Sequence, residues 1–193
     1  MRGIFIALLV SVASVSQACD VTHELGLSPR DTARLEGLEQ GRLRGLAAVI
    51  AGPAQEADRA IVAELYANGL VPADEIAPGD YLCRTIKAGG LSPLVIYQSF
   101  RCEVGTDGNG LVFEKLTGSQ RSSGDLISTE GGLVYRGALH YGNEDPIAYQ
   151  GASERDQVAC LARVNADRPV YILEFPSPIF ESFFDILTLT PID

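Results

Sequence analysis

The chain has 193 residues, of which 46% are hydrophobic and 21% charged. This composition is typical of a globular protein, with enough apolar residues for one core or for a core with a small satellite. The formal net charge of −10 disfavours nucleic acid and anionic membranes as partners, and it favours solubility or a basic partner.

The N-terminus predicts an exported protein. A basic start precedes an unbroken run of apolar and small residues from Gly3 to Ser16, and Ala18 follows closely. This order is typical of a secretory signal peptide that is cut after Ala18. The run is too short to be a good membrane anchor. We therefore predict a signal peptide over residues 1–18 and a periplasmic or secreted mature protein.

Four cysteines follow the predicted cut. In an oxidising compartment an even count indicates disulfides, and three pairings are possible. Cys83 and Cys102 lie in consecutive strand-like segments, so we predict that they pair. Cys160 is expected to be a buried free thiol, with a bond to Cys19 as the alternative.

Cys19 also stands where a lipoprotein carries its lipidated cysteine. Ser16 does not fit such a signal well, so lipidation of Cys19 is the lesser alternative, and it is the one route we see to a membrane. No cysteines or histidines occur at zinc-binding spacing, and the sequence predicts no metal and no cofactor.

The next segment, residues 19–79, is predicted to form a helical hairpin and a linker. Ser28 is a suitable N-cap before Pro29, and an apolar stripe that includes Leu35, Leu38 and Leu46 follows at helical spacing. The Gly52-Pro53 pair ends this first helix and opens a second, which runs to Asn68-Gly69. Two such helices cannot bury their apolar stripe alone.

Residues 80–193 change to a period of two, which predicts antiparallel strands separated by glycine-rich turns. About eight short strands must close on themselves or stack as two sheets. The fold class is therefore α+β, mainly β: a helical hairpin on a small, lipocalin-like, up-and-down barrel. The predicted strands cover residues 81–87, 94–104, 111–116, 119–127, 133–140, 157–164, 169–175 and 183–190.

Several segments resemble one bacterial family, Domain of Unknown Function 4893. They are YLCRTIK (81–87), FRC (100–102), FEKLTGSQRSSGDL (113–126), YRGA (135–138) and the ending FPSPIFESFFDILTLTPI (175–192). The resemblance implies an exported envelope protein with a short helical front and a β-rich body. It also implies that Cys83 and Cys102 are the recurring pair. The resemblance implies no particular activity.

The stretch TGSQR, residues 117–121, permits two interpretations. In the first, its glycine bends the sheet and the polar side chains satisfy the backbone groups that the bend frees. In the second, Ser119, Gln120 and Arg121 form a polar cluster for an anionic ligand, because a guanidinium offers a planar fork of donors. We name these three residues as the candidate ligand site.

Catalytic constellations are poorly supported, and we name no catalytic residue. A Ser119–His140 pair with Asp125 or Asp145 is possible in space, but nothing in the sequence singles it out. Glu181 and Asp185 are the most suggestive carboxylates, because the aromatic residues around them could raise a carboxyl pKa.

The predicted function is a non-enzymatic binding module of the cell envelope, which takes a small ligand in the barrel mouth or binds an envelope protein. The alternative is an interaction or scaffold protein that docks through its helical stripe. A hydrolase-type enzyme comes third, because no nucleophile with a base stands out.

Overall fold

The computed structural model describes Cys19, Val21, residues 25–165 and residues 168–192. The predicted signal peptide lies outside the described residues, and so does His23. Three helices come first: α1 (Pro29–Glu36), α2 (Leu38–Ala51) and α3 (Glu56–Tyr66). A two-residue strand, β1 (Val71–Pro72), leads into the β-rich part.

Eight strands then form a closed barrel, as the alternating pattern predicted. Each strand pairs antiparallel with the next along the chain, and the last pairs with the first, so β1 alone is added outside the circle. The strands are β2 (Gly79–Ala88), β3 (Leu94–Thr106), β4 (Leu111–Lys115), β5 (Gln120–Thr129), β6 (Gly132–Tyr141), β7 (Asp156–Asn165), β8 (Arg168–Pro176) and β9 (Phe184–Pro191).

The predicted single helix from Ser28 to Gly52 is in fact two helices. Ser28 caps α1 as expected, because its side chain accepts a hydrogen bond from the backbone N–H of Asp31. Gly37 then ends α1 and separates it from α2. The break lets α2 lie against the barrel on its glycines: a Cβ at Gly45 would stand 2.6 Å from the Cβ of Phe184.

The apolar stripe of the helices packs on the outer wall of the barrel. Leu35 and Leu38 are 2% and 5% exposed, and Leu46 is half-buried in the same cluster with residues of the outward face of the strands. These three leucines, on which the docking alternative was based, therefore contact the barrel wall.

A buried ion pair fastens the helices to the wall. The carboxylate of Glu174 on β8 is fully buried and accepts two hydrogen bonds from Arg42 on α2, at 2.8 and 2.6 Å. The hydroxyl of Tyr66 on α3 donates to the same carboxylate at 2.9 Å. One carboxylate thus holds two helices against one strand.

Two disulfides crosslink the fold. Cys83 and Cys102 pair inside the barrel, as predicted, with Cα atoms 5.9 Å apart. Cys160 pairs with Cys19. The prediction that Cys160 is a free thiol is therefore wrong, and the alternative, a bond to Cys19, is confirmed. A sulfur in this bond cannot also carry a lipid thioether, so the disulfide and lipidation of Cys19 exclude each other. Two disulfides are typical of an oxidising compartment.

The barrel interior is packed solid through most of its length. Tyr135 lies at its centre in edge-to-face contact with Phe113 and Phe175, at ring distances of 5.7 and 5.8 Å. Below them, the end where β2 begins is closed by the predicted linker, of which Ala73 and Ile76 are almost fully buried. Space therefore remains only toward the other end.

Gly124 and Gly137 face each other on β5 and β6, where the strands approach closely. A Cβ at Gly124 would lie 2.3 Å from the carbonyl oxygen of Arg136. We expect Gly124→Ala to lower the free energy of unfolding by about 1–3 kcal/mol, as overpacking does, measured by urea denaturation. Gly110→Ala is the matched control: no described atom lies within 4 Å of a Cβ at that position, so the substitution should change stability little. Equal effects would contradict the close approach.

The Glu174 cluster gives a second stability test. Arg42→Met leaves the buried carboxylate without its counter-charge, and we expect a loss of about 3 kcal/mol in the free energy of unfolding at pH 7. The double variant Arg42→Met/Glu174→Met removes the orphaned charge and should recover most of that loss. A double variant as unstable as the single one would show that packing, not charge, dominates here.

Candidate functional site

The open end of the barrel holds a cavity of about 430 Å³, which we call the barrel mouth. This volume suits a small molecule. Strand ends supply its polar wall, and the loops that join the strands supply its edge. The polar side chains of the lining include Lys87 on β2, Lys115 on β4, Gln120 and Arg121 on β5, Gln157 on β7 and Asp185 on β9.

The sequence contains two lysines, and both line the barrel mouth. Lys87 and Lys115 are only 9% and 7% exposed. Lysines are seldom buried to this degree unless they are paired. Their shared position at one end of the barrel therefore points to a charge-dependent role.

Lys87 has carboxylates beside it. Its ammonium donates to Glu181 at 2.5 Å, and Asp185 is its register partner on β9. Burial lowers the pKa of Lys87, but the hydrogen bond to Glu181 and the charge of Asp185 outweigh burial, so the net pKa is raised. Lys87 is therefore protonated, and the neighbouring carboxylates balance its charge.

Lys115 has no carboxylate within salt-bridge distance among the described residues. Its ammonium donates to the backbone carbonyl of Gln120 at 2.6 Å and lies 4.2 Å from the centre of the Phe100 ring. Burial, followed by the nearby charges of Lys87 and Arg121, lowers the pKa of Lys115 to about 8. The ammonium is still charged at pH 7, and its charge is not balanced by an adjacent side chain.

Asp185 lies in the same wall as a half-buried carboxyl. Burial raises its pKa to about 6, while a hydrogen bond from the Ser182 hydroxyl at 2.5 Å and the charge of Lys87 act in the opposite direction. The sequence suggested a raised carboxyl pKa at this pair of acids, and Asp185 has one. Glu181 instead pairs with Lys87.

The candidate ligand residues are divided between the turn and the cavity. Gly118 has a left-handed backbone at the turn between β4 and β5, so the TGSQR glycine does bend the chain. Ser119 is exposed at that turn, whereas Gln120 and Arg121 line the barrel mouth. Arg121 donates a hydrogen bond to the carbonyl of Gly118 at 3.3 Å, and no carboxylate pairs with it among the described residues.

The lining of the barrel mouth contains an unsatisfied polar atom. The side-chain oxygen of Gln157 is buried without a hydrogen-bond donor in the part of the chain that the structure describes. Buried acceptors nearly always have a partner in folded proteins. Gln157 can therefore accept a hydrogen bond from a bound molecule.

The loop between β8 and β9, residues 177–183, forms one side of the barrel mouth under backbone strain. Ser177 and Glu181 are the non-glycine residues with left-handed backbone among those described. The carbonyl of Glu181 accepts a hydrogen bond from the N–H of Leu91 at 2.8 Å, which joins this loop to the turn between β2 and β3. Strained backbone of this kind concentrates at binding sites.

The catalytic triad considered from the sequence is not assembled. His140 is buried with neither ring nitrogen hydrogen-bonded among the described groups, so it does not pair with Ser119. Asp125 instead pairs with Arg136 at 2.7 Å. The described residues also contain no cluster of three metal-ligating side chains.

A second cavity of about 420 Å³ lies between α3 and the outer wall. Its lining combines aliphatic side chains such as Leu65 and Leu82 with threonine hydroxyls and Arg84. Among the described residues that line it, no cation is buried without a partner, so the barrel mouth is the better candidate site.

Lys87 and Lys115 are not among the site residues that the sequence predicts. The available signal was their number, since a chain with thirteen arginines and two lysines uses lysine selectively. Both also stand at inward positions of their strands, where the alternating pattern predicts apolar residues. Which end of the barrel stays open could not be read from that pattern.

No helix in the described residues is long and apolar enough to span a membrane. No curated protein and no solved structure matches the chain. One family model does match, described as Domain of unknown function (DUF4893), over residues 25–189. The match covers the helices and nearly the whole barrel, so the protein belongs to the DUF4893 family.

Proposed function

We propose that the protein is an exported binding protein of the cell envelope, periplasmic in location, whose barrel mouth holds a small anionic organic ligand. The predicted signal peptide and the two disulfides support export. The filled interior below Tyr135 limits the ligand to the barrel mouth.

The unpaired ammonium of Lys115 carries the proposal. Burying a cation costs free energy unless a negative charge balances it. A bound anion supplies the negative charge that the surrounding side chains do not give to Lys115. Arg121 adds a second cation without a carboxylate, and Gln157 adds an acceptor for a hydroxyl or amide of the ligand. Gln120 contributes through the carbonyl that holds Lys115 in place.

Native mass spectrometry of protein purified from its own host tests the proposal directly. We expect a retained small anion that is released on denaturation. Because the chain has two lysines, amine labelling before and after removal of that anion gives a second readout: labelling of Lys115 should increase when the ligand leaves.

Lys115→Met tests the role of the ammonium. A hydrogen bond to a charged group is worth about 1.5–3 kcal/mol, so the affinity for the anionic probe anilinonaphthalene sulfonate should fall about ten- to hundredfold. Fluorescence titration measures it. The variant should be at least as stable as the parent protein to urea, because it removes a buried charge that no side chain balances.

Arg84→Met is the matched control, since it removes the same charge from the outer wall, outside the barrel mouth. Its affinity for the probe should stay within twofold of the parent value. If Lys115→Met bound the probe as tightly as the parent protein does, the proposed function would be wrong.

The affinity should also depend on pH. Lys115 carries its charge below its pKa of about 8, so the affinity for the sulfonate probe should fall about tenfold between pH 7 and pH 9. Below pH 6, protonation of Asp185 removes a negative charge from the barrel mouth and should strengthen binding. A titration series across these pH values measures both effects. In Lys115→Met the loss between pH 7 and pH 9 should disappear.

A further inference from the structure

An apolar rim surrounds the barrel mouth. The described residues contain ten large apolar side chains that are exposed, and four of them line this one cavity. We call them the apolar rim: Leu91, Tyr141, Ile179 and Phe180, exposed by 87%, 43%, 38% and 47%. Clustered exposed apolar residues mark ligand or partner surfaces, whereas isolated ones need no explanation.

The rim comes from three separate connections of the barrel. Leu91 stands in the turn after β2, Tyr141 ends β6, and Ile179 and Phe180 belong to the strained loop before β9. Three connections that converge with apolar side chains on one opening form a common surface around it.

Backbone contacts hold the rim in place. Gly90 has a left-handed backbone, and a Cβ there would lie 2.1 Å from the carbonyl oxygen of Glu181. The N–H of Leu91 donates to the same carbonyl. Because this close approach admits only glycine, the Leu91 turn and the Phe180 loop are built as one unit. Their exposed side chains are thus presented in a fixed arrangement.

The cation and the rim occupy different levels of one cavity. Lys115 is almost fully buried in the strand wall, whereas Leu91 at the edge is almost fully exposed. Below both, the aromatic cluster around Tyr135 fills the barrel. A ligand that satisfies both levels has a negative group at one end and an apolar body that extends outward.

We infer that the barrel mouth takes an anionic amphiphile, an unbranched alkyl chain with one carboxylate or sulfonate group, whose anionic end binds Lys115 and whose chain lies on the apolar rim. The inference rests on the proposed anion-binding function and adds the chemical class of the ligand. The charge of Lys115 favours an anionic group at one end of the ligand, and the exposed apolar side chains of the rim favour an alkyl chain at the other end.

Calorimetric titration with alkyl sulfonates of increasing length, from ethane- to decanesulfonate below their micelle concentrations, tests this inference at pH 7. Each methylene buried against the rim should lower the Kd about three- to fourfold, until the chain outgrows the rim. Equal Kd values for ethane- and octanesulfonate would overturn the inference.

The same series separates failure of the inference from failure of the proposed function. If sulfonates of all chain lengths bind equally and Lys115→Met weakens the binding of each, the proposed anion site is supported and the amphiphile inference is wrong. If no sulfonate of any length depends on Lys115, the anion-binding function itself fails.

The double variant Leu91→Ser/Phe180→Ser tests the rim. We expect about tenfold weaker binding of octanesulfonate and unchanged binding of ethanesulfonate, because only the longer chain reaches these side chains. Leu43→Ser is the matched control, since Leu43 is 61% exposed on α2 and lies outside the cavity lining. An effect of Leu43→Ser equal to that of the rim variant would overturn the assignment.

The apolar rim could instead bind the surface of a membrane. Flotation with neutral phospholipid vesicles distinguishes it from a free amphiphile. The inference predicts no flotation of the protein alone. Flotation that the rim variant abolishes, combined with unchanged octanesulfonate affinity in that variant, would overturn the inference.

Discussion

The pairing of β9 with β2 is the constraint on which the rest of the structure depends. It joins the last strand to the first from Tyr81 and Pro191 to Ala88 and Phe184, without a shift in register. Closure removes the free edges that an open eight-stranded sheet would leave. It also fixes which side chains share a level of the interior, so residues far apart in sequence become neighbours at one end.

The closed barrel has one end whose packing stabilises the fold and one end whose residues reduce its stability. Toward the closed end, apolar side chains, the aromatic cluster and the Cys83–Cys102 bond fill the interior. Outside, the helices and the buried carboxylate of Glu174 brace the wall. At the open end the chain keeps a strained loop and a buried lysine, Lys115, that no carboxylate balances among the described residues, and both lower the stability of the fold. Such local costs, tolerated by a rigid scaffold, are typical of binding sites.

Much of the barrel could be predicted because its signals are local. Alternation of apolar and polar residues marks each strand, and glycine-rich turns separate strands, so all eight were found close to their observed bounds. Ser28 likewise predicted the start of α1 through its own side chain. The break at Gly37 was missed, because a glycine within a helical pattern ends the helix only when packing against the wall favours it.

The candidate site was predictable only in part. TGSQR was recognised for its polar side chains, and two of its residues, Gln120 and Arg121, do line the barrel mouth. Lys115, which stands only five residues before Gln120, escaped notice because a lysine in a strand is ordinarily an outward, solvated residue. Alternation along β4 turns its side chain inward, and only closure of the sheet brings it near Lys87 on β2.

The sequence alone determined the eight barrel strands, their antiparallel class and the Cys83–Cys102 pair, because periodicity and order along the chain act over short distances. Tertiary structure decided the Cys19–Cys160 bond, the open end of the barrel and the meeting of its two lysines. These features depend on register and closure, which bring together residues from opposite ends of the chain. No local pattern encodes that proximity.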